Sequence, residues 1–244
     1  MTDVNINIEH KNFNPTTTSV TKKVIANLDI ALKSGEFVCL AGPSGCGKTT
    51  LLNILSGLDK NFQGSIKLGQ SNTQPSIGYV FQNPRLLPWR TVRENLELAT
   101  SASPEILDSL LAAMNLTDVQ QTYPAHLSLG MSRRVSIIRA FANDPDVLLL
   151  DEPFVSLDPP TARQVRQLLI KLWSEQSHTV LFVTHDLREA ITLADRLIFL
   201  SSSPMSVVTE IPVSIPREDR QIEAQIELFR SKIFSDYPEI TTLL

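Results

Sequence analysis

The sequence predicts an α/β fold in which a parallel sheet is covered by helices. Three observations point there. Short, wholly apolar runs such as Phe37–Ala41 and Val147–Leu150 read as strands buried on both faces. Segments with a helical period alternate with them, the pattern of βα units. A glycine-rich turn, Gly42–Gly47, switches the apolar period from strand to helix within a few residues.

The elements follow in chain order. VNINIEH alternates apolar and polar residues, KVIANLDIAL repeats that habit, and Glu36–Ala41 is a third strand. Thr49–Ser56 reads as a helix stopped by Gly57. GSIKLG and SIGYVF are two further short strands. From about residue 91 to 143 the pattern is mostly helical. Thr91 with Glu94 forms a capping box opening VRENLELA, and Ser103-Pro104 supplies an N-cap and first-turn proline for EILDSLLAAMNL. Strand Val147–Leu150 precedes a helix opened by Asp158-Pro159, whose stripe is Val165, Leu168, Leu169, Leu172 and Trp173. Thr179–Val183 is the next strand, and Asp186 with Glu189 caps LREAITLA. Leu197–Leu200 and Val207–Ile211 read as closing strands, and Gln221–Phe234 as a terminal helix. There are no internal repeats and no low-complexity tracts.

Composition narrows the class. Of 244 residues, 42% are hydrophobic and 20% charged, enough apolar material for a core and too much for a disordered chain. The 22 basic residues against 26 acidic ones give a net charge of −4, which argues against a nucleic-acid partner held by a domain-wide basic field. No apolar run approaches the ~20 residues a transmembrane helix needs. The opening MTDVNINIEHKNFN has no basic stretch followed by an apolar one, so no secretory signal is expected. Cys39 and Cys46 suggest no disulfide framework. A cytosolic α/β enzyme is the class these features describe.

Two motifs carry chemistry. GPSGCGKT, Gly42 to Thr49, fits G-x-x-x-x-G-K-[ST]. Gly42, Gly45 and Gly47 let the backbone turn tightly, so that successive N–H groups of the loop, which also holds Pro43, Ser44 and Cys46, face a phosphate chain. Lys48 supplies a cation and the Thr49 hydroxyl a ligand for Mg²⁺, with Thr50 following in the first turn. The helix opening there points its positive end at the same anions. VLLLDEP, Val147 to Pro153, ends an apolar strand in two carboxylates. Asp151 suits Mg²⁺, and Glu152 suits polarising an attacking water as general base. ATP with Mg²⁺ is the cofactor pair these motifs require.

LSLGMSRRVSIIRA, Leu127 to Ala140, lies about twenty residues before that strand, and here the chain resembles the ATP-binding-cassette (ABC) ATPases, whose signature is LSGGQ-x-[QR]-RV. Gln82 matches the family's Q-loop, Ser156-Leu157-Asp158 its D-loop, and His185 its switch histidine. Phe13 matches the aromatic that stacks on adenine, at a slightly long offset from Gly42 and with the polar run Thr16–Ser19 between.

The resemblance implies a single P-loop NTPase domain over residues 1–244. It comprises a parallel α/β core, an antiparallel β-subdomain from residues 1–35 and 62–80, and an α-helical signature subdomain at approximately 83–140. It implies that two copies sandwich ATP head-to-tail, with Ser128 and Gly130 of one facing ATP on the other. Gln82 would join Thr49 and Asp151 on the metal, and Asp158 would lie at the nucleotide. PRLLPWRTVRENLELA looks like the nitrate, sulfonate and taurine importer ATPases, with Arg85, Leu86, Leu87, Trp89 and Arg90 forming a groove for a permease. Such a subunit sits peripherally on the cytoplasmic face of the inner membrane and works with a separate substrate-binding protein.

The signature departs from its pattern twice: Leu129 replaces the first glycine and Met131 the glutamine. Leu129 is expected to point away from the nucleotide and pack on the helical subdomain. Three alternatives remain: a regulatory or structural ATP-binding module with weak turnover, a soluble ABC ATPase acting on DNA or ribosomes, and the ATPase of an exporter or lipid system. The second is disfavoured, because the sequence has no long coiled-coil insertion and one cassette rather than two.

Overall fold

The computed structural model describes residues 2–13, 22–69, 75–176 and 178–243. In chain order the elements are β1 (Val4–Phe13), β2 (Lys22–Leu32), β3 (Phe37–Ala41), α1 (Lys48–Leu55), β4 (Gln63–Leu68), β5 (Ile77–Val80), α2 (Val92–Glu97), α3 (Pro104–Ala113), α4 (Leu129–Phe141), β6 (Val147–Asp151), α5 (Pro159–Gln176), β7 (Thr179–Val183), α6 (Leu187–Leu193), β8 (Arg196–Leu200), β9 (Val207–Pro212) and α7 (Glu223–Asp236). They fall into two compact units, Met1–Gln74 with Thr179–Leu244, and Pro75–His178.

The first unit holds an antiparallel sheet in the order β2-β1-β4. Its alternation is the one the sequence shows: Val4, Ile6 and Ile8 are buried while Asn5, Asn7 and Glu9 face out. Ile6 sits opposite Ile30 on one side and Ile66 on the other, so the apolar face crosses three strands, buried at Ile6 and Ile30 and half-buried at Ile66. The same unit holds four strands in the order β7-β3-β8-β9, with β3 parallel to β7 and β8, and β9 antiparallel at the edge. Every residue of β3 and β7 is buried, which is why neither alternates.

The second unit pairs β5 with β6 in parallel, Ile77 opposite Val147 and Val80 opposite Leu150. Residues 62–80 were expected in the antiparallel sheet as a block; β4 joins it and β5 does not. The reason is Gly78. A Cβ there would lie 2.7 Å from the Ala140 carbonyl oxygen, 2.9 Å from Pro145 Cγ and 3.0 Å from Leu148 Cδ1. The missing side chain lets β5 lie against the end of α4 beside β6.

Helix caps divide between the expected and the rewired. Thr91 and Glu94 make both bonds of the capping box, Glu94 N–H to Thr91 Oγ1 at 3.2 Å and Thr91 N–H to Glu94 Oε2 at 2.8 Å. Ser103 precedes Pro104 as expected but makes no capping bond with its side chain. Asp186 caps α6 by accepting from Arg188 N–H at 2.8 Å, whereas Glu189 turns to the Thr184 hydroxyl at 2.9 Å. The apolar stripe of α5 is buried at Val165 and Leu169 and half-buried at Leu168, Leu172 and Trp173. Cys39 and Cys46 are buried free thiols. Among the described residues no helix is long and apolar enough to cross a membrane.

Gly78→Ala places a methyl against backbone rather than a movable side chain. It is expected to destabilise the fold by ~1–3 kcal/mol, seen as a melting temperature lowered by several degrees; an unchanged melting temperature contradicts the close approach.

Candidate functional site

In the first unit β3 ends at Ala41, and the chain turns through Gly42–Gly47 into α1. Gly47 adopts φ 123°, and a Cβ there would lie 2.9 Å from Val24 Cγ1, so the turn needs glycine for both conformation and space. Pro43 accepts from the Cys46 N–H at 3.2 Å, closing the loop. The Lys48 ammonium is buried and donates to the carbonyls of Gly42 at 2.6 Å and Pro43 at 3.0 Å, laying its charge along the loop. Cys46 is packed between Lys48 Nζ at 3.9 Å and Met205 Sδ at 4.0 Å. Ser44, Gly45 and Thr49 are exposed and Thr50 half-buried. A buried cation, turned-in backbone and the positive end of α1 make a receptor for a chain of anions.

Parallel pairing brings His185 to the same sheet edge. Val183 of β7 lies opposite Leu40 of β3, so the residues after each strand emerge side by side. His185 is exposed there. The turn that presents it is fixed by the buried Thr184, whose hydroxyl accepts from Asp186 N–H at 3.1 Å. Phe13 ends β1 with 61% of its surface exposed, opposite Lys22. Two residues on from Lys22 is Val24, which reaches Gly47, so Phe13 stands at the strand end nearer the loop. Thr16–Ser19 lies outside the described residues. Cys39, inside β3, has its pKa pushed up by burial and belongs to the core.

In the second unit the strand ends bring Gln82 and Glu152 together: Gln82 Nε2 donates to Glu152 Oε2 at 3.2 Å. Asp151 is the last residue of β6 and is 2% exposed. Glu152 adopts φ 48°, the left-handed region that non-glycine residues seldom occupy. Its carbonyl accepts from the Arg133 guanidinium at 2.6 Å and from Val155 N–H at 3.4 Å. Arg133 has its pKa drawn down by burial, opposed by the charges of Glu152 and Asp151. Sequence reading missed Arg133; the one available signal is an arginine in a helix whose neighbours Val135, Ile137 and Ile138 are core residues.

Ser128 caps α4, accepting from Met131 N–H at 3.2 Å. A Cβ on Gly130 would lie 3.4 Å from Leu157 Cδ2, so the signature packs against the 156–158 loop. Asp158 accepts from Thr161 N–H at 3.0 Å as the cap of α5, and its bonds to Thr161 hold its carboxyl below the usual range. Among the described residues no group of three or more histidine, cysteine or acidic side chains is arranged for a metal. Thr49 in the first unit, and Gln82 and Asp151 in the second, each offer the hard oxygen donor type that Mg²⁺ accepts.

Residues 25–155, more than half of the chain, match the family model described as ABC transporter. The chain belongs to the ABC transporter family. It is 38% identical to an aliphatic sulfonates import ATP-binding protein SsuB of Bacillus cereus, over 96% of this chain and 95% of that protein. It is 43% identical to the SsuB of Zymomonas mobilis, over 81% and 84% of the two chains. Among solved structures it is similar to the ATP-binding cassette MJ0796 in a dimeric post-hydrolysis state with ADP and Pi. That match has a TM-score of 0.76 and 31% identity, and covers 87% of this chain and all of the other.

In this ABC chain the signature departure behaves differently from expectation. Leu129 is the first residue of α4 and is 51% exposed, so it does not pack into the helices around it. The apolar residues of that region, Val92, Leu96, Leu107, Leu111, Val135 and Ile138, already fill the space among α2, α3 and α4.

Leu129→Gly is therefore expected to change stability by less than about 1 kcal/mol, read as a melting temperature within a few degrees of the parent. A loss approaching the value of a buried leucine contradicts the exposure. Lys48→Ala removes the cation lying along the loop, and ATP affinity is expected to fall about tenfold to a hundredfold in an equilibrium titration. Unchanged affinity means that the loop does not hold the phosphates.

Proposed function

We propose that this chain is the ATP-hydrolysing subunit of an importer for sulfonate-like small solutes. Supporting this are the import function in the names of the SsuB relatives and the presence of every chemical group that ATP hydrolysis needs. The observation that carries it is the Gln82–Glu152 pair beside the buried Asp151, in a chain whose P-loop cation is held along the loop carbonyls.

The roles follow from chemistry. Backbone N–H groups of Gly42–Gly47 and the Lys48 cation bind the phosphates, Thr50 extends the first turn of α1, and Phe13 offers a face to the adenine. Thr49, Asp151 and Gln82 would each offer an oxygen to Mg²⁺, which would supply charge neutralisation. Glu152 accepts the proton of the attacking water, oriented by Gln82, and His185 stabilises the terminal phosphate. Two copies pair head-to-tail, with Ser128 and Gly130 of each completing the ATP site of the other. The dimeric cassette MJ0796 supports such pairing. Asp158, at the packed 156–158 loop, is the residue we assign to the interface around the nucleotide.

The permease-facing surface is the 85–90 segment. Trp89 is 68% exposed, with Arg85 and Arg90 exposed and Leu86 and Leu87 half-buried around it. Buried Asn95 holds the segment in shape, accepting from Leu87 N–H at 2.7 Å and donating to the carbonyls of Leu87, Arg90 and Thr91. An exposed indole on a rigid loop suits an apolar anchor from a membrane subunit. That partner places the chain peripherally on the cytoplasmic face of the membrane, and an importer of this class works with a separate substrate-binding protein.

Glu152→Gln keeps the shape and the Gln82 contact but removes the base. ATP turnover is expected to fall about 10²–10⁴-fold with nucleotide binding retained. Turnover near the parental rate rejects the role of Glu152, and parental turnover that is itself negligible favours a regulatory ATP-binding module instead.

A further inference from the structure

Burying a guanidinium needs a reason, because five N–H donors must find partners away from water. Arg133 is 4% exposed, and its Nε has no hydrogen-bond partner. A methionine or leucine would fill the same volume without that desolvation, and such replacements of buried charges are often neutral. What Arg133 does that an apolar residue cannot is donate, at 2.6 Å, to the carbonyl of Glu152. That carbonyl belongs to a residue held at φ 48°, a conformation that persists only where its surroundings over-determine it. The direction of a peptide carbonyl fixes the rotation of the backbone, and with it the line along which the Glu152 side chain leaves the strand end. The other arginines of α4 point elsewhere: Arg134 donates to the Met114 carbonyl at 2.6 Å, and Arg139 to the carbonyls of Pro84 and Arg85 at 2.8 and 2.9 Å.

We propose that Arg133 is a positioning residue for hydrolysis, holding the Glu152 carboxylate in its working direction by anchoring the Glu152 carbonyl. This rests on Glu152 being the general base. It also ties the base to the signature helix, since Ser128 caps the helix on which Arg133 stands five residues later. Arg133 acts through Glu152, with no direct part in binding nucleotide or water.

The test is steady-state ATPase kinetics of the purified full chain with saturating Mg²⁺, in Arg133→Met and Arg133→Lys. Methionine has no donor; lysine keeps an N–H donor on a stem one bond shorter than that of arginine. In the Met variant kcat is expected to fall about tenfold to a hundredfold, the scale on which small misplacements act, with KM for ATP within about twofold of the parent. In the Lys variant part of the lost kcat is expected to return. Parental kcat in a folded Met variant overturns the proposal, as does a Lys variant no faster than Met. If Arg133→Met does not fold, Arg133→Leu is the second donor-free variant, and failure of both to fold marks a packing residue and overturns the proposal. Glu152→Gln, run alongside, separates the two ideas. A fast Glu152→Gln removes the base assignment itself, whereas a slow Glu152→Gln with a fast Arg133→Met removes only the role of Arg133.

Discussion

Strands that run parallel deliver their carboxyl ends to one edge of a sheet, and the chemistry of this protein depends on that geometry. In the first unit β3, β7 and β8 lie side by side, so the P-loop after Ala41, His185 after β7 and the Leu200 backbone meet at one rim. In the second unit the same rule applied to β5 and β6 sets Gln82 against Glu152, two residues past the paired Val80 and Leu150. No residue of either rim lies close in sequence to its neighbour across the strands. Position is supplied by the hydrogen-bond ladder, and the side chains by the loops that follow it.

Polar groups, buried at Lys48 and Asn95 and half-buried at Arg139, hold those loops, and carbonyl oxygens are the recurring partner. Lys48 donates to Gly42 and Pro43, Asn95 to Leu87, Arg90 and Thr91, and Arg139 to Pro84 and Arg85. Loop carbonyls have no ladder to satisfy them, so a buried donor both removes an unsatisfied acceptor and fixes the loop. Each arrangement is stable only as a set, because removing the donor leaves several acceptors stranded. In this ABC chain the consequence is functional as well as structural. The loops so fixed are the P-loop, the segment after Gln82 and the segment carrying Trp89.

Departures from the ABC pattern are tolerated where the backbone does not need glycine. Leu129 begins α4 as an ordinary helical residue with its side chain half in solvent, and a Cβ on Gly130 would meet Leu157 Cδ2 at 3.4 Å, an ordinary van der Waals contact. Exchange at the first position therefore adds an exposed apolar group without disturbing the packing of the signature on the 156–158 loop. Gly47 shows the opposite case, with Val24 occupying the space that any side chain would need.

The order of strands and helices was legible in the sequence, because period-two alternation in β1 and β2 and unbroken apolar runs in β3, β6 and β7 follow directly from which faces are buried. Of the residues singled out by motif, Gln82 and Glu152 meet in the second unit, and the Gly42–Gly47 turn and His185 leave one sheet edge in the first. Which sheet β5 joins was not legible, since pairing depends on a partner about seventy residues away and on a glycine that fits beneath a carbonyl of α4. Nor were the exposure of Leu129, the turn of Glu189 toward Thr184, the left-handed backbone of Glu152 or the hold of Arg133 upon it. Local patterns record what a residue prefers by itself; distances between remote atoms, and the strain they sustain, exist only once the chain has packed.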